Sequence, residues 1–206
     1  MGMSSWWAVG ALRDETVTEI ASVALSAIKK MGERPSAREA WSRWERDAAR
    51  GGGAVPLSRP DGYSTDEALH LYGMVNASPF DALDDSCELH VMELWDRFDE
   101  AVEPYITSVR KDNPVAALFH GLGPQRARML PGWAGDAVLT AAEVRDRLET
   151  VESVFALSAA ERAQVLGRIE DWLGDEDSAD VLDRPLRVWQ QAAAAGLGLL
   201  SSRVWF

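Results

Sequence analysis

The stretch from Leu139 to Phe206 constrains the fold most, because it spells three amphipathic helices and then an apolar strand in quick succession. Thr140-Ala-Ala-Glu143 is a capping box: the hydroxyl accepts from the backbone N–H three residues on, and the Glu carboxylate accepts from the Thr N–H. Val144, Leu148, Val151 and Phe155 follow at helical spacing. A second box, Ser158 to Glu161, precedes Val165, Leu166, Ile169, Trp172 and Leu173, and the short link between these helices favours antiparallel neighbours. A third helix is expected from near Asp183, with Pro185 early in it, Leu186, Trp189 and Ala193 facing inward, and Gly196 as its stop. The β-branched and aromatic content of residues 197–206 predicts a strand.

A strand cannot satisfy its own backbone and needs a partner. Ser4 to Gly10, which contains Trp6 and Trp7, has matching strand content, so the two chain ends are expected to pair. Adjacent tryptophans in a strand point to opposite faces, so Trp6 or Trp7 is either covered by a second layer of helices or left exposed as a binding patch. Asp14 to Met31 reads as a helix with Val17, Ile20, Ala24, Ile28 and Met31 on one face, Lys29 and Lys30 in its last turn, and Gly32 as its stop. Ser36 to Glu39 is a further capping box, opening a helix that brings Trp41, Trp44 and Ala48 to one side.

Residues 51–63, with four glycines and two prolines, are expected to be a flexible connection. The glycines lack the Lys-Ser/Thr that a phosphate-binding loop requires. Ser64 to Glu67 opens another short helix, Asp81 to Asp85 reads as an acidic loop, and a longer helix is expected through Val91, Trp95, Phe98 and Val102 to Pro104. Asn113 is the expected N-cap of a brief helix ending at Gly121, and residues 121–135, with Arg126 and Arg128, are expected to be irregular. These readings add up to one domain over residues 1–206, of mainly helical α+β class, with about seven helices around a small sheet containing both terminal strands.

Chemistry is sparsely signalled. The formal charge of −12 argues against binding to nucleic acid or to an anionic membrane. The single cysteine, Cys87, excludes an intrachain disulfide, and its acidic neighbours disfavour a nucleophilic thiolate. With no leader-like segment and no long apolar run, a cytoplasmic location is expected. Glu67-Ala-Leu-His70 has the spacing of a di-metal bundle motif but no second copy, and His90 and His120 stand in other segments. No metal or cofactor is therefore expected. Serine-nucleophile, dinucleotide and calcium-loop patterns are missing as well.

Two functional readings follow. The first is a non-enzymatic protein-binding role, in which an acidic surface formed by Asp81, Asp84, Asp85, Glu88, Asp96 and Asp99 meets a basic protein partner. The alternative is a small-molecule-binding protein or enzyme with a pocket walled by Trp41, Trp44, Trp95 and Trp133, and with His70, His90 or His120 as acid, base or metal ligand. Oligomeric state is not legible.

The chain ends also bear a resemblance. Met1-Gly-Met3 before a short strand and helix, and Pro185-Leu-Arg-Val-Trp-Gln-Gln-Ala-Ala-Ala-Ala-Gly196 before an apolar strand, resemble the small bacterial YfbM-like domains of unknown function. Gly132-Trp-Ala-Gly135 and the opening from Leu139 to Val144 are similar to segments of uncharacterised actinobacterial proteins. The resemblance implies an α+β arrangement and a place among immunity-like or accessory proteins; it carries over no catalytic residue.

Overall fold

The computed structural model describes residues 4–49, 66–174 and 178–205. Strand β1 (Ser4–Leu12) is buried along nearly its whole length, a pattern that requires a cover on both faces of the sheet. It pairs antiparallel with β4 (Gly198–Trp205), from Ser5 opposite Trp205 to Leu12 opposite Gly198, as the terminal segments predict. On its other edge β1 pairs with β2 (Tyr105–Arg110), and β4 pairs with the short β3 (Ala137–Leu139), giving the order β2-β1-β4-β3. All of these pairings are antiparallel, and the class is α+β, mainly helical.

Nine helices are present among the described residues. One face of the sheet is covered by α1 (Asp14–Glu33), α4 (Pro79–Asp85) and α5 (Val91–Trp95). Ala8, Leu12, Leu200 and Val204 meet Val17, Ile20, Phe80 and Trp95 there. The opposite face is covered by α2 (Pro35–Ala49), α3 (Asp66–Val75), α6 (Pro114–Ala127), α7 (Ala141–Phe155), α8 (Ala159–Leu173) and α9 (Ser178–Ala195), packed on Trp7, Val9, Ala11, Tyr105 and Leu199. Trp6 and Trp7 thus answer to two cores, and Trp6 is half-buried beside Trp95 at 6.3 Å between ring centroids. Neighbouring serines of β4 serve the two layers: Trp7 Nε1 donates to Ser201 Oγ at 2.9 Å on one face, and Trp95 Nε1 to Ser202 Oγ at 2.8 Å on the other. At Gly10 the Phe98 ring lies against the backbone, and a Cβ would come within 2.4 Å of it.

Several local expectations hold. Thr140 and Ser158 cap α7 and α8 with complete capping boxes, Asn113 Oδ1 accepts from the Val115 and Ala116 N–H groups, and Gly196 follows α9 at φ +68°. Others are corrected. Helix α9 begins at Ser178, so Pro185 lies inside it and not near its start; the stripe Val181, Leu182, Val188, Trp189 and Ala192 is buried around it and offsets the roughly 3 kcal/mol an interior proline costs. Gly121 does not stop α6, which continues through a break at Gly123 (φ +73°) as far as Ala127, so only the second half of 121–135 is irregular. Asp81 to Asp85 are helical, opened by a capping box between Ser78 and Asp81. The longer helix through Val102 is instead the five-residue α5 followed by turns, because Phe98 folds back over Gly10 and Asp99 N donates to Ala11 O. Helix α1 passes through Gly32 to Glu33, and α2 starts at Pro35, one residue ahead of the expected box at Ser36. Ala48 is exposed, unlike Trp44. Residues 51–63 and the box at Ser64, with the side chain of Glu67, lie outside the described residues.

Candidate functional site: an aromatic pocket beside a latched turn

The polar end of one core is unusual. Arg203 of β4 and Asp136, in the loop before β3, are both fully buried. Arg203 donates from Nη2 to Asp136 Oδ2 at 2.6 Å and from its backbone N to Oδ1 at 2.8 Å, while Nη1 donates to Val75 O at 2.7 Å. Burial pushes the Asp136 carboxyl up to about 6, against the pull of the Arg203 guanidinium and its hydrogen bonds. A half-satisfied buried pair is costly, and here the carbonyls of Val75 in α3 and Ala77 in the loop after it accept from the guanidinium's other N–H groups.

This pair fixes a tight turn. Trp133 and Asp136 exchange backbone hydrogen bonds of 2.9 Å in both directions, and the two residues between them, Ala134 (φ +47°) and Gly135 (φ +89°), are left-handed. Two consecutive positive φ values mark the turn type favoured by two-residue hairpins, in which alanine is strained. Gly132 (φ +81°) is packed so closely that a Cβ would lie 1.9 Å from Asp136 O. Ser201 Oγ, which accepts from Trp7, in turn donates to Gly135 O. The turn is thus tied to β4 by a carboxylate, a carbonyl and its neighbours' backbone, and Trp133 is held in place by it.

What Trp133 faces is a pocket of about 460 Å³ between α2 and this loop. Helix α2 contributes Arg38, Trp41, Ser42 and Glu45, at the i, i+3, i+4 and i+7 positions of one face. Phe119 and Ala127 come from α6, and Arg128 and the run from Leu130 to Gly135 close the far side. Trp41 is the hub, with ring centroids 6.0 Å from Trp133, 6.2 Å from Phe119 and 5.3 Å from Trp44, the last two edge-on. Behind it Trp44 stacks on Phe119 at 6.2 Å and 6°. Trp41 and Trp133 remain half-buried, presenting ring surface to the cavity, and the Trp133 Nε1–H is buried without an acceptor among the described residues. Arg128 pairs with Glu45 across the mouth.

The expected tryptophan wall is therefore met in part. Trp41 and Trp133 line the pocket and Trp44 backs it, whereas Trp95 lies on the other face of the sheet with its N–H on Ser202. The histidines do not join them. His120 is buried in α6 with its ring 5.5 Å from Trp172; His70 Nε2 meets Asp47 Oδ2 at 3.1 Å in a separate polar groove between α2 and α3; His90 is the N-cap of α5, outside the helix, with Nδ1 3.0 Å from Asp84 Oδ1. Among the described residues no group of three or more His, Cys, Asp or Glu is placed to hold a metal ion. Arg38, Glu45, Phe119 and Arg128 are absent from the residues read as functional in the sequence. The signal for the first two was there: both share the Trp41 face of α2, three and four residues away.

The six acidic residues differ in exposure and in their partners. Asp81 is half-buried and accepts from the Ser78 and Trp205 backbone N–H groups, and burial raises its carboxyl above the usual range. Asp99 accepts from Ala101 N and from Arg13 Nε, bonds that lower its carboxyl. Asp84 is beside His90; Asp85, Glu88 and Asp96 are exposed. No helix among the described residues is long and apolar enough to cross a membrane. Comparison with known proteins yields no matching family model, no matching curated protein and no matching solved structure.

Proposed function

We propose that the protein binds a small planar molecule in the pocket between α2 and the turn at Trp133–Asp136. The observation that carries this reading is the pair of half-buried indoles, Trp41 and Trp133, 6.0 Å apart on the wall of an open cavity of about 460 Å³. A volume of this size lies in the range of small-molecule sites, roughly 300–1,000 Å³, and such sites combine aromatic walls with a few fixed polar groups. Strain at Ala134 and a buried ion pair behind the turn are costs of the kind that persist where a side chain has to be held in one place. Binding with no chemical step is the reading kept, since none of the three histidines lines this pocket.

The test is calorimetric titration with a neutral bicyclic aromatic, 2-naphthol, against the intact chain. Binding with a Kd in the micromolar to low-millimolar range is expected, and Trp41→Ala should weaken it about tenfold or more, given the 0.5–1.5 kcal/mol an aromatic pair contributes beyond its area. Equal affinity in the wild type and Trp41→Ala, with both folded by circular dichroism, would sink the assignment.

A further inference from the structure

We infer that the natural occupant of this pocket is an anion, a planar ring system carrying a carboxylate-type group; this inference rests on the pocket reading above. The chain as a whole is acidic, with a formal charge of −12, yet the described lining of the pocket holds two arginines, Arg38 and Arg128, and one carboxylate, Glu45. That carboxylate is already committed, since Glu45 accepts from Arg128 Nη2. The arginines are not saturated by it. A guanidinium has five N–H donors, the Arg128 side chain is still 54% exposed, and Arg38 is 64% exposed with Glu33 at 3.9 Å, too far for a hydrogen bond.

Geometry places these charges where an anionic substituent would reach them. Arg38 is one turn before Trp41 on the same face of α2, and Arg128 is the C-cap residue of α6, so a ring lying against Trp41 and Trp133 shares its pocket with both guanidinium groups. Aromatic walls also attract cations. Here that pull is opposed by the net positive charge of the lining, since Glu45 and Arg128 offset each other and Arg38 is left over. Planar carboxylates are the class that guanidinium groups recognise bidentately while also stacking on the ring.

The experiment compares three probes of one shape at neutral pH: 2-naphthoate, 2-naphthol and 2-naphthylmethylammonium. The expected result is an order naphthoate, naphthol, ammonium, with naphthoate about tenfold tighter than naphthol, as one charge-assisted hydrogen bond of about 1.5 kcal/mol gives. Arg38→Gln should bring naphthoate down to the affinity of naphthol while leaving naphthol unchanged, and 0.5 M salt should do so in part. Equal affinity of naphthoate and naphthol, or tightest binding of the ammonium, overturns the anion assignment and leaves the aromatic pocket standing. Binding by none of the three overturns both.

Discussion

Asp136 shows how much one residue can decide. Its carboxylate takes three donors from Arg203, and its backbone closes the turn that positions Trp133. Replacing Asp136 by Ala leaves the fully buried Arg203 guanidinium and backbone N–H without the oxygens that accept from them, and the expected loss is about 3–5 kcal/mol, or roughly 10 °C in Tm for a chain of this size. A paired replacement, Asp136→Leu with Arg203→Met, is expected to cost less than the single change; thermal melts of the three proteins check this. The same carboxyl yields a pH prediction. Burial raises it to about 6 in the folded state, so the folded chain holds this proton more tightly than the unfolded chain does. Stability from this group is then full below about pH 4 and is lost as pH rises through about 6, opposite in sign to a carboxylate whose ion pair outweighs its burial. The Asp136 carboxyl carbon in an NMR titration should show a midpoint near 6; a midpoint at or below the usual aspartate value would refute it. None of this was visible in the sequence, where Asp136 comes directly after the segment 121–135, read as irregular, and Arg203 interrupts an apolar strand. Charge pairing over 67 positions leaves no local pattern.

At the scale of elements, what was legible is what local chemistry dictates. Thr140, Ser158 and Asn113 announced α7, α8 and α6 because a cap is satisfied within three residues. The terminal strands were legible from β-branched and aromatic content. Strands β2 and β3 were missed because six and three residues carry too little alternation to outweigh neighbouring helical signals, and β2 exists because β1 offers it an edge. Pro185 misled in the same way, since local rules place it at a helix start and only the stripe buried around it holds α9 straight through. A tertiary cap makes a further prediction. Arg126, at the end of α6, donates from Nη1 to the carbonyls of Ser153 and Val154 at the end of α7 and pairs through Nη2 with Glu161 at the start of α8. It therefore closes one helix and welds it to the next. Arg126→Ala should cost about 1.5–3 kcal/mol, the worth of a charged group on a partly buried acceptor, and hydrogen exchange should quicken first at the α7–α8 corner. Unchanged exchange there, with lowered stability elsewhere, would place the role of Arg126 outside this corner.

For the whole molecule, the decisive arrangement is a sheet covered on both faces, with β1 and β4 at its centre and the first and last described residues side by side. That doubles the number of cores a chain of 206 residues must fill, and eight of the nine tryptophans, all but Trp205, pack in or against them. Trp95 goes to one layer, while Trp41 and Trp44 belong to the other and Trp133 packs against both, which is why a four-tryptophan pocket drawn from sequence contained one residue from the wrong side. The functional account stands on the two indoles that the packing leaves half-covered. Its most direct test is ¹⁹F NMR of the protein labelled with 5-fluorotryptophan, with resonances assigned by single Trp→Phe replacements. Adding 2-naphthoate should shift the signals of Trp41 and Trp133 and leave those of Trp7, Trp95 and Trp172 in place. Shifts confined to other tryptophans, or none at millimolar probe, would contradict it.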